Sequence, residues 1–106
     1  MDFSEYQKNA KKTAQYPDGM DGKFYYPALG LAGEVGELLN KIKKIARDRA
    51  TPNKDDLKAE IGDVLWYLSQ VSTELGIDFD EVAQYNLKKL QSRQERGVIS
   101  GSGDNR

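Results

Sequence analysis

The chain has 106 residues, of which 31% are charged, and its 16 basic and 17 acidic side chains leave a formal net charge of −1. A chain of this length forms one domain with a modest core. The balanced charge gives no whole-molecule field that would attract a nucleic acid polymer or an anionic membrane. Cysteine and histidine are absent, which excludes disulfides, thiol nucleophiles, imidazole bases and the usual zinc sites. Carboxylates, hydroxyls, lysines and arginines therefore carry any chemistry.

The amino terminus and the hydropathy predict a soluble, cytoplasmic protein. Residues 1–5 lack the basic and apolar regions of a secretory signal. No apolar run approaches the roughly 18 residues that a membrane-spanning helix needs. We therefore expect neither a membrane partner nor a nucleic acid partner.

Hydrophobic periodicity predicts four helices. Ser4 is a suitable N-cap for a first helix that ends near Gln15. Residues 17–27 contain two Asp-Gly pairs and are expected to form a long loop. A second helix is then predicted from Tyr26 to Asp48.

The third and fourth helices have clearer boundaries. Asn53 is predicted to cap the third helix, which ends at Leu75 because Gly76 follows. Asp78 is predicted to cap a fourth helix that reaches Gly97, with Glu81 completing a capping box. The domain is expected to span residues 1–99, and residues 100–106, which lack apolar content, are expected to form a flexible tail.

The second and third helices share an internal repeat. Residues 31–39 (Leu-x-x-Glu-Val-Gly-Glu-Leu-Leu) align with residues 57–65 (Leu-x-x-Glu-Ile-Gly-Asp-Val-Leu). Helical spacing places five apolar residues of each helix on one stripe, which predicts two core faces. The stripes are Leu31, Val35, Leu38, Ile42 and Ile45, and Leu57, Ile61, Val64, Leu68 and Val71. We therefore predict an all-α fold, a four-helix bundle unit around an antiparallel central helix pair.

Four glycines lie inside these helical patterns, at positions 30, 33, 36 and 62. Each costs up to ~1 kcal/mol relative to alanine in a helix. Close approach of two helices, or of a ligand to the backbone, would account for them. Ordinary packing of small residues is the alternative.

Each copy of the repeat carries two acids at the same offset from its stripe. They are Glu34 and Glu37 in the second helix and Glu60 and Asp63 in the third. Antiparallel packing brings the four carboxylates to one rim, where a hard cation such as Mg²⁺ or Mn²⁺ would offset their repulsion. The repeat therefore predicts a metal site. The alternative, which a single Glu-x-x-Glu would favour, is that Glu37 only pairs with Lys41 one turn later and that Asp63 faces solvent.

Other polar and aromatic residues are candidates for substrate contacts. Those that would clamp a polyphosphate are Lys41, Lys44, Asn86, Lys89 and Arg93. An ordinary solvated face is the alternative for each of them. Tyr67 follows Asp63 by one turn and is assigned to a nucleotide base, and Trp66 is assigned to a subunit interface.

Three segments together resemble the MazG-like family of all-alpha nucleoside triphosphate pyrophosphohydrolases. They are Gly-Leu-Ala-Gly-Glu-Val-Gly-Glu at 30–37, Glu-Ile-Gly-Asp at 60–63 and Asn-x-x-Lys-Leu-x-x-Arg at 86–93. The resemblance extends to the ending Arg-Gly-x-Ile-x-Gly-Ser-Gly-Asp-Asn-Arg. One position departs, because Gly33 stands where many members of the family have the first of two adjacent glutamates.

The resemblance implies an enzyme that uses Mg²⁺, with Mn²⁺ as the other candidate, to cleave nucleoside triphosphates to the monophosphate and pyrophosphate. It implies cleansing of the nucleotide pool as a role and a homodimer or homotetramer as the assembly. The implied metal ligands are Glu34, Glu37, Glu60 and Asp63, with Glu37 or Glu34 activating the attacking water. The implied substrate contacts are Lys41, Tyr67, Asn86, Lys89 and Arg93.

Two alternatives to this activity remain. One is a non-catalytic helical interaction module, whose acids only keep it soluble. The other is a related phosphohydrolase that acts on a diphosphate or an alarmone. Both use the same helices and differ in what the acidic rim binds.

Overall fold

The computed structural model describes residues 1–17 and 24–106, and over these residues it confirms the predicted all-α fold. They form four helices and no strand: α1 (Phe3–Lys11), α2 (Tyr25–Asp48), α3 (Lys54–Glu74) and α4 (Phe79–Glu95). Most of the predicted loop over 17–27 lies outside the described residues. No helix in the described part of the chain is long and apolar enough to cross a membrane.

The first helix differs from the prediction at both ends. Its N-cap is Asp2, whose carboxylate accepts a hydrogen bond from the amide of Glu5 at 2.8 Å, so the prediction of Ser4 as the cap is wrong. Ser4 lies in the first turn, and its hydroxyl donates to Asp78 at 2.6 Å. The helix ends at Lys11 rather than near Gln15.

The predicted caps of the next helices are confirmed. The side chain of Asn53 accepts from the amide of Asp56 at the start of α3. Asp78 accepts from the amide of Asp80 at the start of α4, one residue short of the Glu81 expected for a capping box. Helices α3 and α4 end within two residues of their predicted ends. Gly76 and Gly97, which follow them, each have a φ of 70°.

Contacts between α2 and α3 establish that the two helices run antiparallel. Lys41, late in α2, bonds to Asp56 and Glu60, early in α3. Gly30, early in α2, lies against Tyr67, late in α3. Among the described elements α2 packs on α3 alone, whereas α1 packs on both α3 and α4.

The two predicted core stripes are only partly covered within one chain. None of their ten side chains is buried, and four keep more than a third of their surface exposed: Val35 at 37%, Ile42 at 45%, Ile61 at 56% and Leu68 at 40%. The prediction of two buried core faces is therefore wrong for the single chain, because α2 has a helix neighbour on one side only.

Ser69 and Gln70 of α3 are fully buried, with 0% of their surface exposed. Ala10 of α1 and Phe79 at the start of α4 are buried as well, at 7% each. The rings of Phe3 and Phe79 meet edge to face with their centroids 5.2 Å apart. This contact fixes the start of α4 against α1.

Candidate metal centre

Three of the four predicted metal ligands converge between α2 and α3. One carboxylate oxygen from each of Glu34, Glu37 and Glu60 lies within 4.8 Å of the other two. Glu34 and Glu37 are one turn apart on α2, and Glu60 faces them from α3. The antiparallel pairing of the repeat thus brings acids from both of its copies together, as its sequence predicts.

The acids include buried carboxyl oxygens that have no hydrogen-bond partner in the described part of the chain. Oε2 of Glu34 and Oε2 of Glu60 are both buried and accept no hydrogen bond from the described residues. A buried carboxylate oxygen without a donor is unfavourable, and oxygen-only donor sets suit hard divalent cations. The residues present therefore fit a cation such as Mg²⁺.

The surroundings of Glu34 disfavour its charged form. Burial raises the pKa of its carboxyl, and the negative charges of Glu37, Asp63 and Glu60 raise it further. A hydrogen bond with Glu37 acts in the same direction. A bound cation would reverse this balance because it favours the ionised carboxylates.

Asp63 does not join the group of three. Its carboxylate is exposed and is not among the oxygens that lie within 4.8 Å of one another. Asp63 is nevertheless near the site. After burial and the charge of Glu37, its charge raises the pKa of Glu34, and after burial it also raises the pKa of Tyr6.

Lys41 lies at the edge of the acids and joins the two helices. Its Nζ is 2.6 Å from Oδ1 of Asp56 and 2.8 Å from Oε1 of Glu60. These hydrogen bonds, to Asp56 first and then to Glu60, raise the pKa of the Lys41 ammonium. Sequence reasoning did not include Asp56, although it lies one turn before Glu60 on the same face of α3.

Tyr67 lies directly over Gly30. A Cβ atom added to Gly30 would overlap Cε1 of the Tyr67 ring, so no larger residue fits there without displacing that ring. Burial raises the pKa of the Tyr67 hydroxyl, followed by the effects of Tyr26, Glu34 and Asp63. The ring that was predicted to contact a base therefore lies beside the acids.

The other three helical glycines have a different setting. A Cβ on Gly33, Gly36 or Gly62 would meet nothing within 4 Å. Close approach of helices within the chain explains Gly30 and is wrong as an explanation of these three. Approach of a ligand or of a second chain to their backbone is still compatible with the structure.

Substitution of these glycines by alanine should separate the two settings. We expect Gly30→Ala to destabilise the fold, because overpacking against Tyr67 costs about 1–3 kcal/mol and the gain in helix propensity returns at most ~1 kcal/mol. Gly33→Ala, the matched control, is expected to stabilise α2. Urea denaturation of both variants measures the difference, and a Gly30→Ala protein as stable as Gly33→Ala would contradict the contact with Tyr67.

Further aromatic side chains lie near Tyr67. The rings of Tyr16 and Tyr26 stack with centroids 5.2 Å apart, and the hydroxyl of Tyr16 donates to Glu74. Trp66 meets Tyr67 edge to face at 5.0 Å, and its indole N–H donates to Thr13 at 2.9 Å. Trp66, predicted for a subunit interface, thus has a partner within its own chain. Its interface role stays a prediction.

The helix that carries the other predicted phosphate contacts, α4, does not pack on α2 within the described part of one chain. Asn86 is exposed and Lys89 is half-buried. Arg93 is buried, with 6% of its surface exposed, and its Nη2 donates to the carbonyl of Asp104 at 2.6 Å.

Known proteins are similar to this chain over the acids and over α4. Residues 27–98 match the family described as MazG nucleotide pyrophosphohydrolase domain. The Gene 37 protein of Mycobacterium phage L5 is 50% identical over 110 residues, which cover 95% of this chain and 96% of the phage protein. No solved structure matches the chain. The matched segment contains all the converging acids and the predicted contacts of α4.

Proposed function

The chain belongs to the MazG nucleotide pyrophosphohydrolase family, and we propose that it is a magnesium-dependent enzyme that hydrolyses nucleoside triphosphates to the monophosphate and pyrophosphate. The observation that carries this proposal is the convergence of Glu34, Glu37 and Glu60 within 4.8 Å. Two of these acids have buried oxygens that lack a donor among the described residues. A nucleoside triphosphate brings Mg²⁺ with it as its usual counter-ion, so such an acid cluster suits that substrate.

We assign the four acids to the metal. Glu34, Glu37 and Glu60 would hold the metal, and Asp63 would join them as a fourth ligand. When bound, Mg²⁺ neutralises charge on the phosphates and lowers the pKa of a coordinated water. Mn²⁺ accepts the same oxygen ligands.

Glu37 is our choice for the base that takes the proton from the attacking water. It is exposed, so water can reach it, whereas Glu34 is partly buried and its raised pKa reflects that burial first. In the proposed step the water oxygen bonds to the α-phosphorus and the bond from that phosphorus to the α–β bridging oxygen breaks. Pyrophosphate leaves, and the water proton passes to Glu37, with Glu34 as the alternative base.

Substrate contacts would come from both sides of the acids. Lys41 is near enough to neutralise phosphate charge, although it must share its ammonium with Asp56 and Glu60. Tyr67 would face the base or the sugar. Asn86, Lys89 and Arg93 would contact the phosphates or the sugar, and we propose that they do so across an interface between two copies of the chain.

Several features favour such an assembly. The radius of gyration is 16.7 Å, against about 13 Å for a compact chain of this length. Large apolar side chains are exposed on both α2 and α4, including Leu39 at 58% and Leu87 at 67%. A second copy would cover the open side of α2 and could bring α4 to the acids, which gives a homodimer or a homotetramer.

Light scattering at micromolar concentration should therefore give the mass of a dimer or a tetramer. We expect Leu87→Glu to lower that mass, because a charge on a buried apolar contact is strongly unfavourable. Lys88→Glu, a neighbouring exposed position that already carries a charge, is the control and should leave the mass unchanged. A monomeric wild-type chain under these conditions would contradict the assembly.

The activity itself is tested by product analysis. The purified protein is incubated with a panel of canonical and damaged ribo- and deoxyribonucleoside triphosphates, and the products are separated by anion-exchange chromatography. We expect a monophosphate and pyrophosphate, with turnover that requires Mg²⁺ and is lost in excess chelator. Release of orthophosphate from the triphosphate would exclude this reaction.

The same panel decides between the alternatives. Hydrolysis of a diphosphate or an alarmone in place of the triphosphates would select the related phosphohydrolase. No turnover of any phosphate ester, with helicity intact and Mg²⁺ present, would select the interaction module. A role in cleansing the nucleotide pool of the cytoplasm is part of the proposal and is favoured if damaged nucleotides are the best substrates.

A further inference from the structure

Arg106 closes a loop at the end of α4. Its guanidinium donates to three carbonyl groups: Nε to Val98 at 3.0 Å, Nη2 to Ile99 at 2.9 Å and Nη1 to Gly103 at 2.8 Å. One side chain thus ties both ends of the 98–106 loop together. The planar guanidinium supplies several donors in a fixed arrangement, which a lysine does not.

The backbone of the 98–106 loop also depends on glycine. Gly101 has a φ of 145° and Gly103 a φ of 94°, both in the region that side chains disfavour. A Cβ on Gly101 would stand 3.3 Å from Cδ of Arg106. The loop is therefore specified by its sequence, although these contacts do not measure motion, so the predicted flexibility of residues 100–106 stays a prediction.

The 98–106 loop also bonds to a second arginine, Arg93, which lies on α4. The Nη2 of Arg93 donates to the carbonyl of Asp104 at 2.6 Å, while its Nε is buried and has no partner among the described residues. Arg96 in turn donates to the main-chain oxygen of Arg106 at 2.7 Å. Within residues 1–17 and 24–106, no carboxylate side chain forms an ion pair with any of these three arginines.

A buried guanidinium without a counter-ion calls for an anion. Burial of a charge is unfavourable unless the charge is paired, and carbonyl oxygens supply only dipoles. Adjacent N–H groups of a guanidinium match the spacing of phosphate oxygens. Since the Nη2 of Arg93 is fixed by Asp104, its Nε and the rest of the group are oriented before a phosphate arrives.

We propose that Arg106 is a positioning residue: it folds the 98–106 loop onto α4, and the carbonyl of Asp104 then orients Arg93 to bind a substrate phosphate. The inference rests on the proposed function, because the phosphate is that of the nucleoside triphosphate. Arg106 acts through Arg93 and does not itself contact the substrate. Its loss should therefore weaken substrate binding more than it slows the chemical step.

Steady-state kinetics of Arg106→Lys and Arg106→Ala test this role, with the triphosphate that the wild-type protein hydrolyses best. We expect KM to rise about tenfold, as for the loss of one charge-assisted hydrogen bond, with kcat within about threefold of wild type. Asn105→Ala, an exposed position in the same loop, is the control and should leave KM unchanged. Combining Arg106→Ala with Arg93→Lys should add little to the KM of Arg93→Lys alone.

Two results would overturn the role of Arg106. One is a wild-type KM in both Arg106 variants, and the other is an equal rise in Asn105→Ala. If the wild-type protein hydrolyses no triphosphate, the proposed function fails, and calorimetric titration with inorganic tripolyphosphate then tests the loop separately. Binding to wild type that weakens about tenfold in Arg106→Lys supports the role, whereas equal affinity or no binding to wild type refutes it.

Discussion

Glu37→Gln is expected to lower kcat by roughly a thousandfold while leaving the helical content unchanged. The variant loses a metal ligand and the proposed base together, and general base catalysis alone contributes about 10²- to 10⁴-fold. The fold should tolerate it, because Glu37 is exposed and glutamine has nearly the same shape. Pyrophosphate release measures the rate, and circular dichroism measures the helicity.

The matched control is Glu81→Gln, an exposed acid in the first turn of α4 and outside the cluster. It should keep the wild-type rate. A Glu37→Gln protein with most of the wild-type turnover would end the assignment of this site. Asp63→Asn provides the complementary test, since a loss as large as that of Glu37→Gln would mean that Asp63 moves to the metal in the working enzyme.

The repeat predicted that acids of α2 and α3 lie together but overstated their symmetry. It treats Glu37 and Asp63 as equivalent. In the structure Glu37 lies with Glu34 and Glu60, whereas Asp63 does not. An aspartate is one methylene shorter than a glutamate, so at the same offset its carboxylate does not extend as far toward the shared point. A pattern of residue classes does not contain this difference in reach.

Contacts between distant parts of the chain were the hardest to foresee. Lys41 was considered as a phosphate ligand or as a partner of Glu37 one turn away, and it pairs across the helices with Asp56 and Glu60. Residues 100–106 are predicted to form a flexible tail because they lack apolar residues, and this stays a prediction. The hydrogen bonds that Arg106 donates within residues 98–106 go to backbone carbonyls. Every residue has such carbonyls, so composition gives no sign of them.

The fold was predictable to the extent that local signals determine it. Asn53, Asp78 and the glycines after α3 and α4 define helix ends through short-range hydrogen bonds and backbone preferences. Periodicity identified the apolar faces of α2 and α3 correctly as apolar. It does not specify what covers them, and within one chain side chains such as Ile61 stay exposed.

Mg²⁺ at a hundredfold excess over its dissociation constant should raise the melting temperature of the wild-type protein by about 10–20 °C. Such an excess stabilises a protein by about 2.7 kcal/mol, and each kcal/mol corresponds to about 4–8 °C in a domain of this size. Calorimetry at fixed protein concentration, with NaCl at equal ionic strength as the control, measures the shift.

Glu34→Gln should remove this shift and also stabilise the metal-free protein at neutral pH. The folded state raises the pKa of Glu34, through burial first and then through the charges of Glu37, Asp63 and Glu60. The folded chain therefore binds more protons than the unfolded chain, so its stability falls as the pH rises above the ordinary range of a glutamate. Glutamine has no proton to lose, so the stability of the variant does not fall in this way.

A wild-type melting temperature that does not change with Mg²⁺ would mean that the acids bind no cation, as a non-catalytic module predicts. A Glu34→Gln protein that keeps the shift would place the ion away from Glu34.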